Sequence, residues 1–412
     1  MVRTEKIILN DKRLKLMLLE STSIYNQSLY FLRQSYFKTK KEQKIKTPNY
    51  YELYNLVKNE KCFKESNLDY VAKQSIIKQA SANWTSFIKS ALAYKKNKDK
   101  FKAKPKIPRY FKNRKLNLLT YDIRRISKKI KCYDKSYEIK FLKSDVSVKI
   151  PKYINKTSIN CFRILSYYDK FKIEVIYEKA QNNLSLDKQN VIGIDIGLNN
   201  LCAITTNNQN KSWIIKGGVL KSINQFYNKE IAKIKSELKL KNNRYTSRKL
   251  EGFNKKREQK INVIFHNISR KIVNLCINEN IGKIVIGHNN SWKQNCKMRK
   301  NISQNFVQIP FNKLISMLSY KANENNIDII IINESYTSKC DHLAFEEMKH
   351  KESYLGKRIK RGLFKSSIGK NLNADINGAI GILIKAKEIS DVQIMNLRNR
   401  GDVVSPMQIK IA

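Results

Sequence analysis

The stretch "VIGIDIGLNN", residues 191–200, places one carboxylate, Asp195, inside an apolar and largely β-branched run. Such a run is typical of a central strand of a sheet. Burying an unpaired carboxylate costs free energy. The pattern therefore indicates one of two arrangements. Either a Lys or Arg compensates Asp195, or Asp195 lies at the open end of the sheet, where it can bind a metal ion.

The composition points to a polyanionic partner. The chain has 412 residues, and its 82 Lys and Arg residues exceed its 34 Asp and Glu residues, which gives a formal net charge of +48. This length accommodates about two or three domains. An AT-rich genome would explain the many lysines but not the scarcity of acids. We therefore expect a nucleic-acid-binding protein.

Several classes of protein are disfavoured. The seven cysteines are scattered and never spaced CxxC, which favours a reducing compartment over a disulfide framework or a Cys-rich zinc site. There is no apolar run long enough to span a membrane, no signal-peptide core and no P-loop. We expect a cytoplasmic protein of the prokaryotic cytosol or nucleoid, with no membrane partner and no use of ATP.

The first half of the chain combines a helical part with an all-β part. Helical periodicity runs through residues 13–98, after the strand-like "EKIILN", and alternating segments follow until about residue 180. The expectation is a β-barrel-like domain from residues 1–12 and 99–185, with the helical bundle of residues 13–98 inserted into it. The aromatic residues of the bundle are expected to be core residues.

A basic tract, residues 95–115, separates these parts. Its prolines disfavour a regular helix, and aromatic rings interrupt the charge, which suits an extended segment along a phosphate backbone with rings available for stacking. A solvated linker is the alternative. The candidate nucleic-acid-binding residues here are Lys100, Lys102, Lys104, Lys106, Arg109, Tyr110, Lys112 and Arg114.

The second half predicts an α/β domain over residues 186–392, followed by a C-terminal tail, residues 393–412. Three short strands precede a long basic helical stretch, about residues 219–280, and then strand, helix, strand and a final helix that begins near Asn373. This is the element order of an RNase H-like fold, in which acidic residues collect at the strand ends.

RNase H-like nucleases hydrolyse phosphodiesters with two divalent ions, which require converging carboxylates. Asp195 fits the first position, and Asp375 lies in the first turn of the final helix, where the alternative is a helix-dipole acid. The fourth strand has Gly287 and His288 where an acid is expected. Glu334, at the end of the adjacent fifth strand, is the candidate second ligand; pairing with a lysine is the alternative. For His288 an accessory ligand is one alternative, and a structural or ligand-supporting histidine is favoured.

At this point the residues resemble a known family, the TnpB (OrfB) proteins of insertion sequences, which are RuvC-containing relatives of type V CRISPR effectors. The similar stretches run along the chain: "YNQSLYFLRQSYF", "KFKAKPKIPRYFK", "GIDIGLNNLCAIT", "QNFVQIPFNKLISMLSYKA", "ESYTSK", "GKRIKRGLF", "NADINGAIGILIK" and "GDVVSP". The resemblance implies a β-barrel-like wedge domain, an inserted helical recognition domain and a RuvC nuclease domain.

The resemblance also implies an activity and its partners. These are RNA-guided cleavage of double-stranded target DNA beside a short target-adjacent motif, with a guide RNA derived from the transposon end. Asp195 and Asp375 match the first and third RuvC acids, and Gly287 with Glu334 resembles a rearranged branch of the family. We expect Asp195, Glu334 and Asp375 to be catalytic and to bind two Mg²⁺ ions, for which Mn²⁺ can substitute.

Residues 335–370 depart from the family pattern, because the customary four-cysteine zinc finger is missing. Cys340, His342 and His350 are too few well-spaced ligands, so no zinc is expected. In its place, Lys357, Arg358, Lys360 and Arg361 could hold a DNA strand, or form only a solvated basic loop.

Two other functions compete with a nuclease. One is a nuclease-dead, RNA-guided DNA-binding repressor, suggested by Gly287. The other is a transposase or transposase accessory protein. A monomer and a homodimer are both open at this point.

Overall fold

A computed structural model describes residues 1–41, 47–112, 115–126, 131–208, 211–242, 245–289 and 308–410. The chain divides into two compact units, Met1–Lys179 and Ala180–Ala412. Within the described ranges, every helix is too short or too polar to cross a membrane.

The first unit contains a helical group. Its helices are α1 (Lys12–Lys41), α2 (Tyr50–Val57), α3 (Lys61–Lys64) and α4 (Tyr70–Lys96). Helix α2 begins at a capping box, in which the Asn49 side chain accepts from the backbone of Glu52 and the Glu52 side chain accepts from the backbone of Asn49. Helices α1 and α4 bury apolar residues at helical spacing, including Leu29 and Trp84. Trp84 is thus a core residue, as its spacing indicated, whereas the same expectation is wrong for Tyr30, which is 45% exposed.

The strands of the first unit form two antiparallel sheets. The strands are β1 (Val2–Leu9), β2 (Leu119–Asp122), β3 (Lys131–Cys132), β4 (Ser136–Lys140), β5 (Ser147–Pro151), β6 (Ile159–Tyr167) and β7 (Lys170–Glu178). One sheet has the order β1-β7-β6-β2 and the other β3-β4-β5. The helical group lies between β1 and β2 in the chain, and its core is continuous with that of the sheets. A closed barrel stays a prediction.

The second unit is built on a mixed six-stranded sheet. Its strands are β8 (Asp187–Asp195), β9 (Asn200–Thr206), β10 (Ser212–Lys216), β11 (Ile281–Gly287), β12 (Asp328–Ile332) and, near the end of the chain, β16 (Met407–Gln408). The order is β12-β11-β8-β9-β10-β16. Strand β8 pairs antiparallel with β9 and parallel with β11, and β11 pairs parallel with β12. A mixed α/β sheet was expected, and β8 lies near its centre.

Helices cover both faces of this sheet. They are α5 (Gly218–Asn242), α6 (Arg248–Asn278), α7 (Phe311–Glu324), α8 (Ala374–Lys385) and α9 (Asp391–Leu397). Ile192 and Ile194 share a core with Phe265 of α6 and residues of α7, whereas Val191 packs with Leu383 of α8. Since side chains alternate along a strand, Asp195 must face the same side as Val191, toward α8.

A small antiparallel sheet lies between β12 and α8 in the chain. Its strands are β13 (Lys357–Lys360), β14 (Leu363–Lys365) and β15 (Asn371–Asn373), in the order β13-β14-β15. The buried carboxylate of Asp341 ties this region together by accepting from the hydroxyl groups of Ser366 and Ser367 and from the backbone of Ser367. Polar contacts therefore organise the segment in which we expected no zinc finger.

Within residues 393–412, expected to form a tail, the described residues 393–410 contribute to the fold of the second unit. Helix α9 crosses the expected boundary, Leu397 and Val403 are buried, and β16 pairs parallel with β10. A strand of two residues has no alternating pattern to detect, so its pairing could not be predicted.

Candidate active site

Asp195 is the last residue of β8 and is held against helix α8. Its backbone pairs with Ala203 of β9. A Cβ atom added at Gly378 would lie 2.7 Å from Oδ2 of Asp195. Only a glycine therefore allows the helix to approach this carboxylate so closely. Gly378 follows Asp375 by three residues, so both face the same side of α8.

Glu334 lies beside Gly287, two residues after the end of β12. Gly287 pairs with Ile332, and a Cβ atom added at Gly287 would lie 3.2 Å from Cβ of Glu334 and 2.4 Å from Cδ1 of Ile382. The space next to Gly287 is thus already filled by Glu334 and an α8 side chain. The backbone N–H of Glu334 donates to Oδ1 of Asn289 at 3.1 Å, which links the ends of the two strands.

Asp375 lies in the first turn of α8, below a side-chain cap. Oδ1 of Asn373 accepts from the backbone N–H of Asp375 at 3.0 Å. The carboxylate of Asp375 has two partners, since Asn200 donates to Oδ2 at 2.6 Å and Arg358 donates to Oδ1 at 2.8 Å. The Arg358 guanidinium therefore partly neutralises Asp375. The helix dipole is thus not the only favourable interaction of this carboxylate.

The electrostatics connect the three acids. Burial raises the pKa of Asp195 to about 8, and the negative charges of Glu334 and Asp375 add to this rise while Arg358 opposes it. Burial also raises the pKa of Glu334 to about 7. Oε2 of Glu334 is buried without a hydrogen-bond partner. The three carboxylates thus influence one another through space, and one oxygen of Glu334 has no compensating hydrogen bond.

These observations test whether a divalent cation fits. Across the ranges that the structure describes, no three His, Cys, Asp or Glu side chains form a group already arranged to hold a metal ion. In the arrangement present, Arg358 binds Asp375. However, one carboxylate oxygen of Glu334 has no hydrogen-bond partner, and the acids repel one another. A bound cation would relieve both. The donor set is all oxygen, as Mg²⁺ and Mn²⁺ prefer.

His288 follows β11 and is buried. Its backbone N–H donates to the carbonyl of Ile332 at 2.8 Å, which extends the β11–β12 pairing by one residue. The backbone of His288 therefore has a structural role in the sheet, independent of its ring.

The second basic cluster lies on and next to β13. Lys357, Arg358, Lys360 and Arg361 are all exposed. Arg358 differs from the others because it forms an ion pair with Asp375. The strand thus brings one basic residue to the candidate active site and presents the others to solvent. A role of this cluster in binding DNA stays a prediction.

The first basic tract is irregular and runs along the helices of the first unit. Its candidate residues Lys100, Lys102, Lys104, Lys106, Arg109 and Lys112 are exposed, Tyr110 is partly buried, and Arg114 lies outside the described residues. Asn26 of α1 accepts from the backbone N–H of Phe111 at 2.9 Å and donates to its carbonyl at 3.0 Å. An extended and anchored segment is therefore present.

The aromatic rings of this tract contact neighbouring side chains of the first unit, and their use for stacking on bases stays a prediction. Arg33 of α1 lies over the ring of Tyr110, 5.1 Å from its centroid. Phe111 packs edge-on against Tyr25, and Phe101 against Tyr94, at 5.1 and 5.6 Å between centroids. The rings hold the tract onto the helices, and its lysines remain exposed. Spacing alone could not distinguish the two uses of an aromatic ring.

A cleft of about 550 Å³ lies where this tract meets α1 and α4. Basic side chains of the tract, Lys104, Lys106 and Arg109, line it together with Tyr36 and Tyr94. Charged groups beside aromatic walls suit a nucleic-acid strand.

Two family models match parts of the chain. The OrfB_IS605 family model, described as "Probable transposase", matches residues 171–293. The model "Cas12f1-like, TNB domain" matches residues 311–382. The first match contains Asp195, and the second contains Glu334 and Asp375. The chain is similar to OrfB (TnpB) proteins over the first segment and to Cas12f1-like proteins over the second. The resemblance noted from the sequence motifs is thus confirmed.

Three solved structures are similar to this chain at low sequence identity. A chain of the "Cas12f1-sgRNA-target DNA complex" is 14% identical, with 89% of this chain and 81% of that chain covered and a TM-score of 0.57. A "CRISPR-Cas12f Ternary Complex" chain is 13% identical (90% and 80% covered, TM-score 0.35). "CRISPR-Cas_phi3", a mini-RNA-guided endonuclease, is 12% identical (94% and 92%, TM-score 0.43). No curated protein matches the chain. The first of these structures supports the mixed α/β fold with several sheets.

Sequence reasoning missed two partners of the candidate site in this chain. Asn200, which ends the opening "VIGIDIGLNN" stretch, binds Asp375, and Arg358 binds the same carboxylate. The only available signal for Asn200 was its place in that motif. No local pattern joins Arg358 to Asp375, since the pairing depends on the fold of the small sheet.

Proposed function

We propose that this chain is a transposon-encoded, RNA-guided DNA endonuclease that hydrolyses target DNA at a RuvC-type site. The observation that carries the proposal is the meeting of Asp195, Glu334 and Asp375, from β8, the end of β12 and α8, around buried and under-compensated negative charge. The match of this region to the OrfB and Cas12f1-like models supports it.

Asp195, Glu334 and Asp375 would hold two Mg²⁺ ions, or Mn²⁺ in their place. When bound, the ions supply activation of a water nucleophile and stabilisation of the leaving oxygen. The residues of the chain position the acids: Gly378 lets α8 approach Asp195, Asn373 fixes the first turn of α8, and Asn200 orients the Asp375 carboxylate. Gly287 leaves the space that Glu334 uses.

The partners in this proposal are a guide RNA from the transposon end and double-stranded target DNA with a short adjacent motif. The net charge of +48 and the exposed basic residues of both clusters support them. The Cas12f1 structure similar in fold is itself described as a complex with sgRNA and target DNA. Residues 1–12 with 99–185 would form the wedge domain, residues 13–98 the recognition domain and residues 186–392 the RuvC domain; all but residues 180–185 of the first two belong to the first unit.

A second function, a guided DNA-binding repressor without nuclease activity, is favoured by one observation. Arg358 already occupies Asp375 with a hydrogen bond of 2.8 Å, and the second acid has moved from the β11 position, Gly287, to Glu334. If this ion pair persisted in the complex, Asp375 could not contribute fully to a metal site.

One experiment separates these functions. The protein is co-expressed with its native flanking DNA as guide source and with a plasmid library randomised beside the target. Glu334→Gln, which keeps the size of the side chain but removes its charge, is tested in parallel. Cleavage by the wild-type protein that the variant loses supports the nuclease. Retained RNA and target binding without cleavage by either supports the repressor.

Glu352→Gln is the matched control. Glu352 is an exposed glutamate in the same inter-strand segment, so its loss should leave cleavage unchanged. Cleavage by Glu334→Gln at the wild-type rate would overturn the rearranged site.

A further inference from the structure

Helices α5 and α6 form a hairpin with a cleft of about 490 Å³ on its surface. The volume is within the range of pockets that take small organic groups. The cleft is lined by aromatic rings from both helices, Phe226 and Tyr227 on α5 and Phe253 on α6, and by the basic residues Lys256 and Lys260 of α6. It is distinct from the carboxylates of the candidate active site.

One wall of the cleft is held rigidly. The guanidinium of Arg257 lies 4.9 Å from the centroid of the Tyr227 ring. Nε of Arg257 donates to Oδ1 of Asn224 at 2.8 Å, and NH2 donates to the carbonyl of Gln308 at 2.7 Å. The Tyr227 hydroxyl also contacts Asn254 across the hairpin. Arg257 and Tyr227 thus build the site and are not its exposed contacts.

The opposite side of the cleft presents groups to solvent. Phe226 is 58% exposed, an unusual state for a phenylalanine, although it lies 6.4 Å from Phe253 between ring centroids. Lys256 and Lys260 are exposed and four residues apart, so they extend from the same face of α6. An exposed ring flanked by two cations combines a stacking surface with groups that neutralise phosphate.

We propose that this cleft binds one nucleotide of a single-stranded nucleic-acid segment, with its base against Phe226 and its flanking phosphates at Lys256 and Lys260. The proposal rests on the proposed function for the presence of nucleic acid and adds a site to it. Charge complementarity identifies the occupant, since basic residues outnumber acidic ones on both α5 and α6. An apolar protein segment would not use the two lysines.

The test uses the full chain in EDTA, with single-stranded RNA and DNA oligonucleotides of the same sequence that carry 5-iodouracil. This base photo-crosslinks to an aromatic ring stacked on it, and mass spectrometry locates the crosslinked peptide. We expect a crosslink at Phe226. Crosslinking by RNA alone, by DNA alone or by both supports the site and identifies the strand. Crosslinks found only elsewhere with both probes overturn it.

Variants give a second measurement. Phe226→Ala should weaken binding about tenfold, which corresponds to ~1.4 kcal/mol, within the range for stacking one base. Phe226→Trp should retain binding. Tyr245→Ala is the control, because Tyr245 is an aromatic residue 77% exposed between the same two helices and not part of the cleft. Equal losses for Phe226→Ala and Tyr245→Ala would overturn the proposal.

The lysines are tested by salt dependence. Changing Lys256 and Lys260 together to Gln should reduce the slope of log Kd against log salt by about 1.4, the value for two phosphate contacts on a single strand. Phe226→Ala should leave this slope unchanged. An unchanged slope in the lysine variant contradicts the phosphate contacts.

Failure of the site and failure of the proposed function are distinguishable. Binding in EDTA does not require cleavage, so a crosslink at Phe226 without guided cleavage retains the site and removes the nuclease. Guided cleavage without a crosslink at Phe226 supports the nuclease and overturns the site.

Discussion

At the scale of single residues, the candidate active site depends on Gly287 as much as on its acids. A Cβ atom added at Gly287 would lie 2.4 Å from Cδ1 of Ile382. The missing side chain provides the space in which Glu334 and α8 meet. Exchange of an acid between neighbouring strands is therefore a packing change as well as a chemical one.

Gly287→Ala should destabilise the protein by ~1–3 kcal/mol, because the added methyl group overpacks the contact with Ile382. Urea unfolding measures the change. Gly252→Ala is the control: Gly252 is a helical glycine of α6 with nothing within 4 Å of an added Cβ, and this change should be neutral or stabilising. Equal stability changes for the two variants would refute the packing account.

The raised pKa values predict a pH dependence in the metal-free protein. With a pKa near 8 when folded and ~4 when unfolded, Asp195 binds more protons in the folded state between these values. The free energy of unfolding should therefore fall as pH rises from about 4 to 8. In Asp195→Asn this contribution is absent, so the variant should become increasingly more stable than the wild type over that range.

Denaturant unfolding in EDTA at several pH values measures this difference. Asp99→Asn, at an exposed carboxylate, should show no such trend relative to the wild type. Added Mg²⁺ should reduce the advantage of Asp195→Asn at pH 8, because a cation compensates the same charge. A difference between Asp195→Asn and the wild type that does not vary with pH would contradict the prediction.

At the scale of elements, strand β13 links the small sheet to the candidate active site. All four of its residues are exposed, and Arg358 extends from it to Asp375. The guanidinium provides positive charge where the proposed function places divalent cations. The strand therefore determines how available Asp375 is to another cation.

Arg358→Gln should tighten Mn²⁺ binding, since it removes a competing positive charge from Asp375. The increase should be up to about fivefold, because partly exposed ion pairs contribute ~1 kcal/mol or less. Electron paramagnetic resonance of free Mn²⁺ measures the affinity. Lys360→Gln removes a charge from the same strand without touching Asp375. If Lys360→Gln tightened binding as much, the effect would reflect net charge alone.

Some features of the elements were predictable from the sequence, and others were not. The apolar, β-branched run in "VIGIDIG" predicted a buried strand, and the final helix was predicted to begin near Asn373; both predictions depend on neighbours in the chain. The pairing of β16 with β10 and the contact of Arg358 with Asp375 join residues distant in sequence. Local sequence patterns do not predict such long-range pairings.

The aromatic residues of the basic tract show the same limit. Composition identified an extended basic segment, but not that the partly buried rings of Tyr110 and Phe111 contact Arg33 and Tyr25 of α1. Phe226 lies in the long basic helical stretch that the sequence predicted, and its ring is exposed. Which face a ring presents depends on how the helices pack, and spacing does not determine it.

At the scale of the whole molecule, the net charge of +48 dominates. Few of the described basic residues are buried, so most of this charge is at the surface. Self-repulsion of this size favours a state in which a polyanion neutralises the protein. Folding, solubility and binding should therefore all respond to ionic strength.

The affinity of the full chain for double-stranded DNA of arbitrary sequence should fall at least about 10³-fold between 50 and 200 mM salt, the loss expected when six or more phosphates are neutralised. Fluorescence anisotropy in EDTA measures this without cleavage. Lys104→Gln combined with Lys106→Gln should lower the slope if the first tract contributes. A loss below tenfold would show that few of the surface charges contact phosphate.

The close approach of α8 to Asp195 has a consequence for genetic variation. At Gly378 the space for an added carbon is already taken by Oδ2 of Asp195. Serine or alanine there would displace the carboxylate while every proposed ligand stayed intact. In a survey of naturally inactive copies, replacement of Gly378 would thus be as informative as replacement of an acid, although it removes no proposed ligand.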